Sequence, residues 1–206
     1  MKNPGPPVYS GHVVEFTAVA AEFCKYAEHA SEFKGAELLN ILQKLLPLLY
    51  LKASMLPELE SYFEDGNEKF VTESDWNLIH DNLKVNFGSA NDYIELLEDP
   101  SAGDEGTVLS GIAEDLADIY QDMKNFILLY QTGTDAVMND AVWECRMNFE
   151  NYWGIRLLNA LKAIHRFLSS DKDIEDNNDK GPGTDDKDHS EWFLSKRQRE
   201  FRNGDE

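Results

Sequence analysis

The sequence predicts an all-α fold: a helical bundle of about five main helices, followed by a flexible acidic linker and a short C-terminal helical segment. Three observations carry this prediction. Apolar residues recur at alternating spacings of three and four, the period of one helix face, over five long stretches. Clusters of Gly, Pro, Asn, Asp and Ser separate those stretches. Alternating runs of β-branched residues, the mark of strands, compete nowhere. With 206 residues the chain is long enough for one substantial core. The layout is an extended lead-in over 1–10, a bundle over 11–170, an acidic linker over 171–190 and an aromatic, basic segment over 191–206.

The lead-in is the run Asn3-Pro4-Gly5-Pro6-Pro7. The first helix spans about Gly11 to Ser31, with Val13, Phe16, Ala20, Phe23 and Ala27 on one face. The second, Ala36 to about Leu56, is apolar nearly all round and is expected to be the most buried, with a kink at Pro47, whose ring removes a donor and crowds the preceding turn. An acidic loop then closes at Thr72-Glu73-Ser74-Asp75, where a hydroxyl can cap a third helix bearing Trp76, Ile79, Leu83 and Phe87. Gly88-Ser89 is expected to bend the chain before Asp92 to Glu98, and Pro100, Gly103 and Gly106 mark a loop. The fourth helix has the cleanest repeat, Leu109, Ile112, Leu116, Ile119, Met123, Phe126 and Tyr130, and stops at Thr132-Gly133. A fifth runs from Asp135 to about Ser169, with Gly154 as a point of interruption.

Net charge is −20. Phosphate contact needs clustered Lys and Arg, so neither nucleic acid nor an anionic membrane is an expected partner. No apolar run of bilayer length and no signal-peptide pattern is seen, so the expected location is cytoplasmic. The two cysteines, Cys24 and Cys145, form no CxxC and are read as free thiols. Over 171–190 eight acidic and three basic residues surround Gly181-Pro182-Gly183, a linker composition. After it, Trp192, Phe193, Leu194 and Phe201 lie beside Lys196, Arg197, Arg199 and Arg202, a segment expected to fold back as a short helix or to serve as a docking peptide.

Several chemistries fail on spacing. No His follows a Glu by three residues, which excludes the bundled di-iron carboxylate pattern. No His-Glu-x-x-His occurs. The linker starting at Asp176 offers Lys180 and Lys187 where an EF-hand loop needs oxygen ligands. His80-Asp81, with His29 upstream, is a further metal phosphohydrolase arrangement, but His80 also fits the edge of the third helix's apolar stripe.

Two constellations remain. On the fifth helix Arg146 and Glu150 fall inside the apolar stripe, one turn apart, as an expected buried ion pair needing further partners, for which the acidic flank of the fourth helix is the expected source. With Trp143 and Trp153 as walls, Arg146, Arg156 or His165 can bind an anion, so the candidate ligand-binding residues are Trp143, Arg146, Glu150, Trp153, Arg156 and His165. The alternative account is a structural polar seam. On the fourth helix Asp115, Asp118 and Asp122 line one flank. With Glu95 and Glu98 they are the candidate metal residues, because Glu95-x-x-Glu98 and Asp115-x-x-Asp118 resemble the layout of the all-helical nucleoside triphosphate pyrophosphohydrolases, whose carboxylates hold magnesium. A solvated flank, or a set of salt-bridge partners for arginines, explains the same stripe.

The stretches Glu114 to Lys124, Ala141 to Arg146, Phe149, Trp153-Gly154, Ala160-Leu161 and Ile164-His165 resemble a bacterial domain-of-unknown-function family, number five-zero-six-three. Ala20 to Cys24, Leu46 to Tyr50 and Leu56-Pro57 fit the same pattern, so the likeness covers most of 10–168. It implies an all-helical cytoplasmic protein and supplies no reaction. The functional expectation is a non-enzymatic module binding a protein partner or a small anionic ligand, without a cofactor. The alternative is a magnesium-dependent nucleotide phosphohydrolase using the helical carboxylate cluster.

Overall fold

The computed structural model describes residues 6–97 and 106–170. They lie within one compact unit, Met1–Glu175, and a second unit spans Asp176–Glu206. The acidic linker, the C-terminal segment and Glu98 are outside the described residues.

The described chain opens with a 3-10 turn, Pro7–Tyr9, where an extended lead-in is expected. Proline at the first helical position costs no hydrogen bond and presets the turn. Helix α1 is Gly11–Glu28, α2 Gly35–Ser54 and α3 Glu73–Phe87. The Thr72 hydroxyl caps α3 and the Asp75 carboxylate answers it, a reciprocal capping box. Helix α2 runs unbroken through Pro47. Helices α4, Ile112–Tyr130, and α5, Asp135–Asn148, lead to α6, Gly154–Leu168. None of the described helices is long and apolar enough to cross a membrane.

Helix α4 is the central element, packed against α1, α3, α5 and α6, while α2 packs mainly against α1 and α6. The most buried helix is therefore α4 and not the more apolar α2. With neighbours on several sides α4 buries Ile112, Leu116, Ile119, Met123 and Phe126, and Phe126 meets Phe16 of α1 edge-on at 5.1 Å. Helix α2 has a neighbour on fewer sides, and Leu51 stays 52% exposed on its outer face.

The sequence reading is corrected between α3 and α4. Residues Asp92–Leu97 and Gly106–Gly111 form an antiparallel hairpin, β1 and β2, with Asp92 opposite Gly111 and Leu97 opposite Gly106. Leu109 belongs to β2 and is exposed, so the apolar repeat assigned to the fourth helix begins at Ile112 instead. The hairpin escapes notice because its pattern is inverted. Tyr93, Glu95 and Ser110 reach polar partners, while Ile94 and Leu109 face solvent. Asn91 then starts α4: its carbonyl accepts from the Ile112 amide at 2.8 Å and its side-chain oxygen from the Ala113 amide at 2.9 Å. The fold remains all-α with this one small sheet.

The single fifth helix of the sequence reading is two helices joined by a π-helical turn, Phe149–Trp153. One extra residue per turn swings the Gly154 amide onto the Phe149 carbonyl. A Cβ at Gly154 would lie 2.4 Å from that carbonyl oxygen, so only glycine fits where the turn closes. Sequence spacing finds the interruption, and the wider turn then rotates every following side chain relative to α5.

Candidate functional site

The polar residues of α4 meet those of α6 in one seam. Asp115 and Asp118, three apart, share a face. From α6, Arg156 donates through Nη1 to Asp115 Oδ1 at 3.1 Å and forms an ion pair with Asp118, Nε lying 3.1 Å from Oδ2, with Glu114 Oε1 at 3.6 Å from Nη1. Its guanidinium lies over the Tyr152 ring at 5.0 Å. Asp118 also accepts from Tyr152 Oη at 2.6 Å and from Trp76 Nε1, on α3, at 2.9 Å. The hairpin closes the other end. Tyr93 Oη donates to Asp115 Oδ2, Asn159 Nδ2 to Glu95 Oε1 at 2.7 Å, and Ser110 Oγ to Glu95 Oε2 at 2.9 Å. Three helices, the π turn and the sheet are joined through Asp115, Asp118, Glu95 and Arg156.

Asp115 is only 2% exposed. Burial pushes its carboxyl up to about 6, against the pull of the Tyr93 hydroxyl and of Arg156. Burial works against the Arg156 charge too, but Asp118, Tyr152 and Asp115 outweigh it and hold the guanidinium firmly cationic. Partial desolvation first, and donation to Asp118 second, raise the exposed Tyr152 to about 12. Carboxylates outnumber the single guanidinium, so the seam is electronegative and closed on itself.

This arrangement corrects the expected pairing. Arg146 does not face helix four. Its Nε donates to Glu150 Oε1 at 2.9 Å, its Nη1 to the Leu56 carbonyl at 2.6 Å and its Nη2 to Glu58 Oε1 at 2.9 Å. The Glu150 side chain is 54% exposed, so the pair is at the surface and not buried in a core. It is Arg156 that meets the Asp stripe. Asp122 leaves that stripe as well: it accepts from Asn148 Nδ2 at 2.7 Å, near Lys69, Glu144 and the buried Cys145, and burial raises it to about 6. Trp153 is a core residue, fully enclosed, with Nε1 donating to the Cys145 carbonyl at 3.2 Å. Trp143 is half-buried. His80 stacks on Trp76 at 5.0 Å and pairs with Asp81, and His29 meets the Lys25 carbonyl.

The metal candidates are divided in the same way. Asp115 and Asp118 serve Arg156, Glu95 serves Asn159 and Ser110, and Asp122 serves Asn148. Among the described residues no three His, Cys, Asp or Glu side chains are grouped to hold a metal ion.

Of the candidate ligand residues, His165 lines an open groove. Gln43, Pro47, Leu158, Leu161, Lys162 and His165 border a groove of about 490 Å³ between α2 and α6. Gln43 Nε2 and His165 Nδ1 approach to 3.3 Å across it.

A further polar site went unread in the sequence. Asp140, on α5, accepts from the Tyr62 amide at 2.7 Å, the Phe63 amide at 2.8 Å and Ser61 Oγ at 2.9 Å. Burial opposes its charge, but the two amides with Asn139 and Ser61 overcome it and hold the carboxyl below the usual range. Asn139 donates to the Glu60 carbonyl at 2.7 Å, and Asn125 accepts from the Phe70 and Val71 amides. The connection between α2 and α3 is thus fixed at its base and leaves Tyr62 70% exposed. The available signal was Asn139-Asp140 inside the buried run Met138 to Val142.

These features define a helical bundle locked by one arginine–carboxylate seam and carrying a small hairpin. The chain belongs to the family described as Domain of unknown function (DUF5063), whose model matches residues 7–170. It is similar to the crystal structure of protein BF1032 from Bacteroides fragilis, at 38% identity over 81% of this chain and 98% of that one, with a TM-score of 0.71. No curated protein matches the chain.

Proposed function

We propose that the protein is a non-enzymatic binding module whose binding surface is the groove between α2 and α6. The observation that carries this reading is the groove itself: an apolar floor of Pro47, Leu158 and Leu161 open to solvent, with Gln43, Lys162 and His165 at its edges. Apolar surfaces with a few convergent polar groups are where ligands and partners gather. The seam supports the reading from the other side, because its arginine is already neutralised and acts as a lock between helices.

An anionic apolar dye, anilinonaphthalene sulfonate, tests the groove without a known partner. Its fluorescence is expected to rise with the native protein and to stay at the free-dye level with Leu158→Glu, a substitution at an exposed position that keeps the helical circular dichroism. No rise with the native protein would overturn the reading. The magnesium-dependent phosphohydrolase has less support, since the carboxylates it needs are bonded to Arg156, Asn159 and Ser110. Nucleotide hydrolysis with magnesium that disappears in Asp118→Asn would reverse that choice.

A further inference from the structure

Acidic residues are nearly absent from the helices that frame the groove. The chain holds 39 Asp and Glu among 206 residues, yet α6 has none and α2 has none after Glu37 in its first turn. Their cations remain. Lys52 is taken by Glu15 at 2.6 Å and Arg156 by Asp115 and Asp118. Lys44, Lys162 and Arg166 are exposed, and no described carboxylate lies within ion-pair range of them. Among the described residues, a chain of net charge −20 thus keeps a basic face here, and that face is also apolar. Ile155 is 60% and Leu51 52% exposed on it, continuing the floor of Leu158 and Pro47.

From this juxtaposition we infer that the groove receives an acidic amphipathic helix of a partner protein, its apolar side chains on the Pro47, Leu158 and Leu161 floor and its carboxylates beside Lys44, Lys162 and Arg166. The inference rests on the groove being the binding surface. Three features favour a helix over a compact ligand. The groove is shallow and open, whereas small-molecule sites enclose most of their ligand. It runs between two helices, and α6, with 15 residues, offers about 22 Å of length at the helical rise, enough for three turns of a partner. Ile155, Leu158 and Lys162 repeat at the i, i+3 and i+7 positions that a helix laid alongside can match. The carboxylates of the other described elements repel such a partner, which favours this face.

The test uses the full chain and two synthetic helices that share their leucine positions, one with glutamate and one with lysine on the polar face. Fluorescence anisotropy is expected to show binding of the glutamate helix that weakens with added salt, and about tenfold weaker binding of the lysine helix. Lys162→Glu combined with Arg166→Glu is expected to weaken the glutamate helix by about tenfold, and Leu158→Glu by at least as much. All three positions are exposed or half-buried, and circular dichroism verifies the fold of each variant. Equal binding of both helices, or binding indifferent to these substitutions, overturns the inference. If neither helix binds while the dye still requires Leu158, the acidic-helix inference falls and the groove reading stands; if the dye is not bound, both fall. Concentration-dependent self-association in sedimentation, lost in Leu158→Glu, assigns the groove to a second copy and likewise overturns it.

Discussion

Arg156 is the residue on which the seam depends, since it alone neutralises two neighbouring carboxylates on α4, one of them fully enclosed. Arg156→Met strands Asp115 in a low-dielectric site and is expected to cost about 2–3 kcal/mol in chemical denaturation. Combining it with Asp115→Asn is expected to recover part of that loss, because the second change removes the stranded charge. Strictly additive losses would show that the two are uncoupled. Glu150→Leu is expected to change stability by no more than about 0.5 kcal/mol, since an exposed i,i+4 pair contributes little. Asp115 also gives the fold a pH dependence of definite sign. Its native carboxyl lies near 6 against 3.8 when exposed, so its contribution is fully present below about 3.8 and is lost as pH rises through about 6. Thermal unfolding is therefore expected to move to higher temperature between neutral pH and pH ~5, and to move less in Asp115→Asn. Asp75 and Asp140 act in the opposite direction: their lowered values make a contribution present above 3.8 and lost in more acidic solution.

At the scale of elements, the π turn decides how α6 faces the rest of the bundle. Gly154→Ala in an ordinary helix would stabilise by about 1 kcal/mol. Here the Phe149 carbonyl blocks the new methyl, and the same change is expected to destabilise by about 1–3 kcal/mol in urea unfolding. A gain in stability would mean that the turn relaxes to regular helix. The connection between α2 and α3 depends on Asp140 in a comparable way. Asp140→Ala leaves the Tyr62 and Phe63 amides without their acceptor, with an expected loss of about 2 kcal/mol and faster hydrogen exchange at those two amides. An unchanged exchange rate there would show that Asn139 and Asn125 suffice to fix the loop.

For the whole molecule, charge is distributed by face. Among the described residues carboxylates crowd α4, the hairpin and the loop before α3, whereas α6 holds none and α2 none past Glu37. Self-repulsion at net charge −20 is screened by salt, so the unfolding temperature is expected to rise on adding sodium chloride. The helices were legible in the sequence because an apolar period of 3.6 is a local pattern. The hairpin was not, because Tyr93, Glu95 and Ser110 turn polar groups toward the seam and leave Ile94 and Leu109 outside, the reverse of a half-buried strand. The candidate site is legible in part: helical spacing points to Asp115, Asp118 and Arg156, but it puts Arg146, inside the apolar stripe, ahead of Arg156 as their partner.

By itself the sequence determined the helical class, the capping of α3 at Thr72, the break at Gly154 and the resemblance to its family, all of which depend on residues close together in the chain. Only the tertiary structure decided which arginine meets the Asp stripe, because the π turn changes the rotation of α6 relative to α5, and spacing alone cannot supply that angle. It also decided that the apolar α2 keeps an open face. Burial depends on how many neighbours a helix acquires, and α4 acquired them in its place.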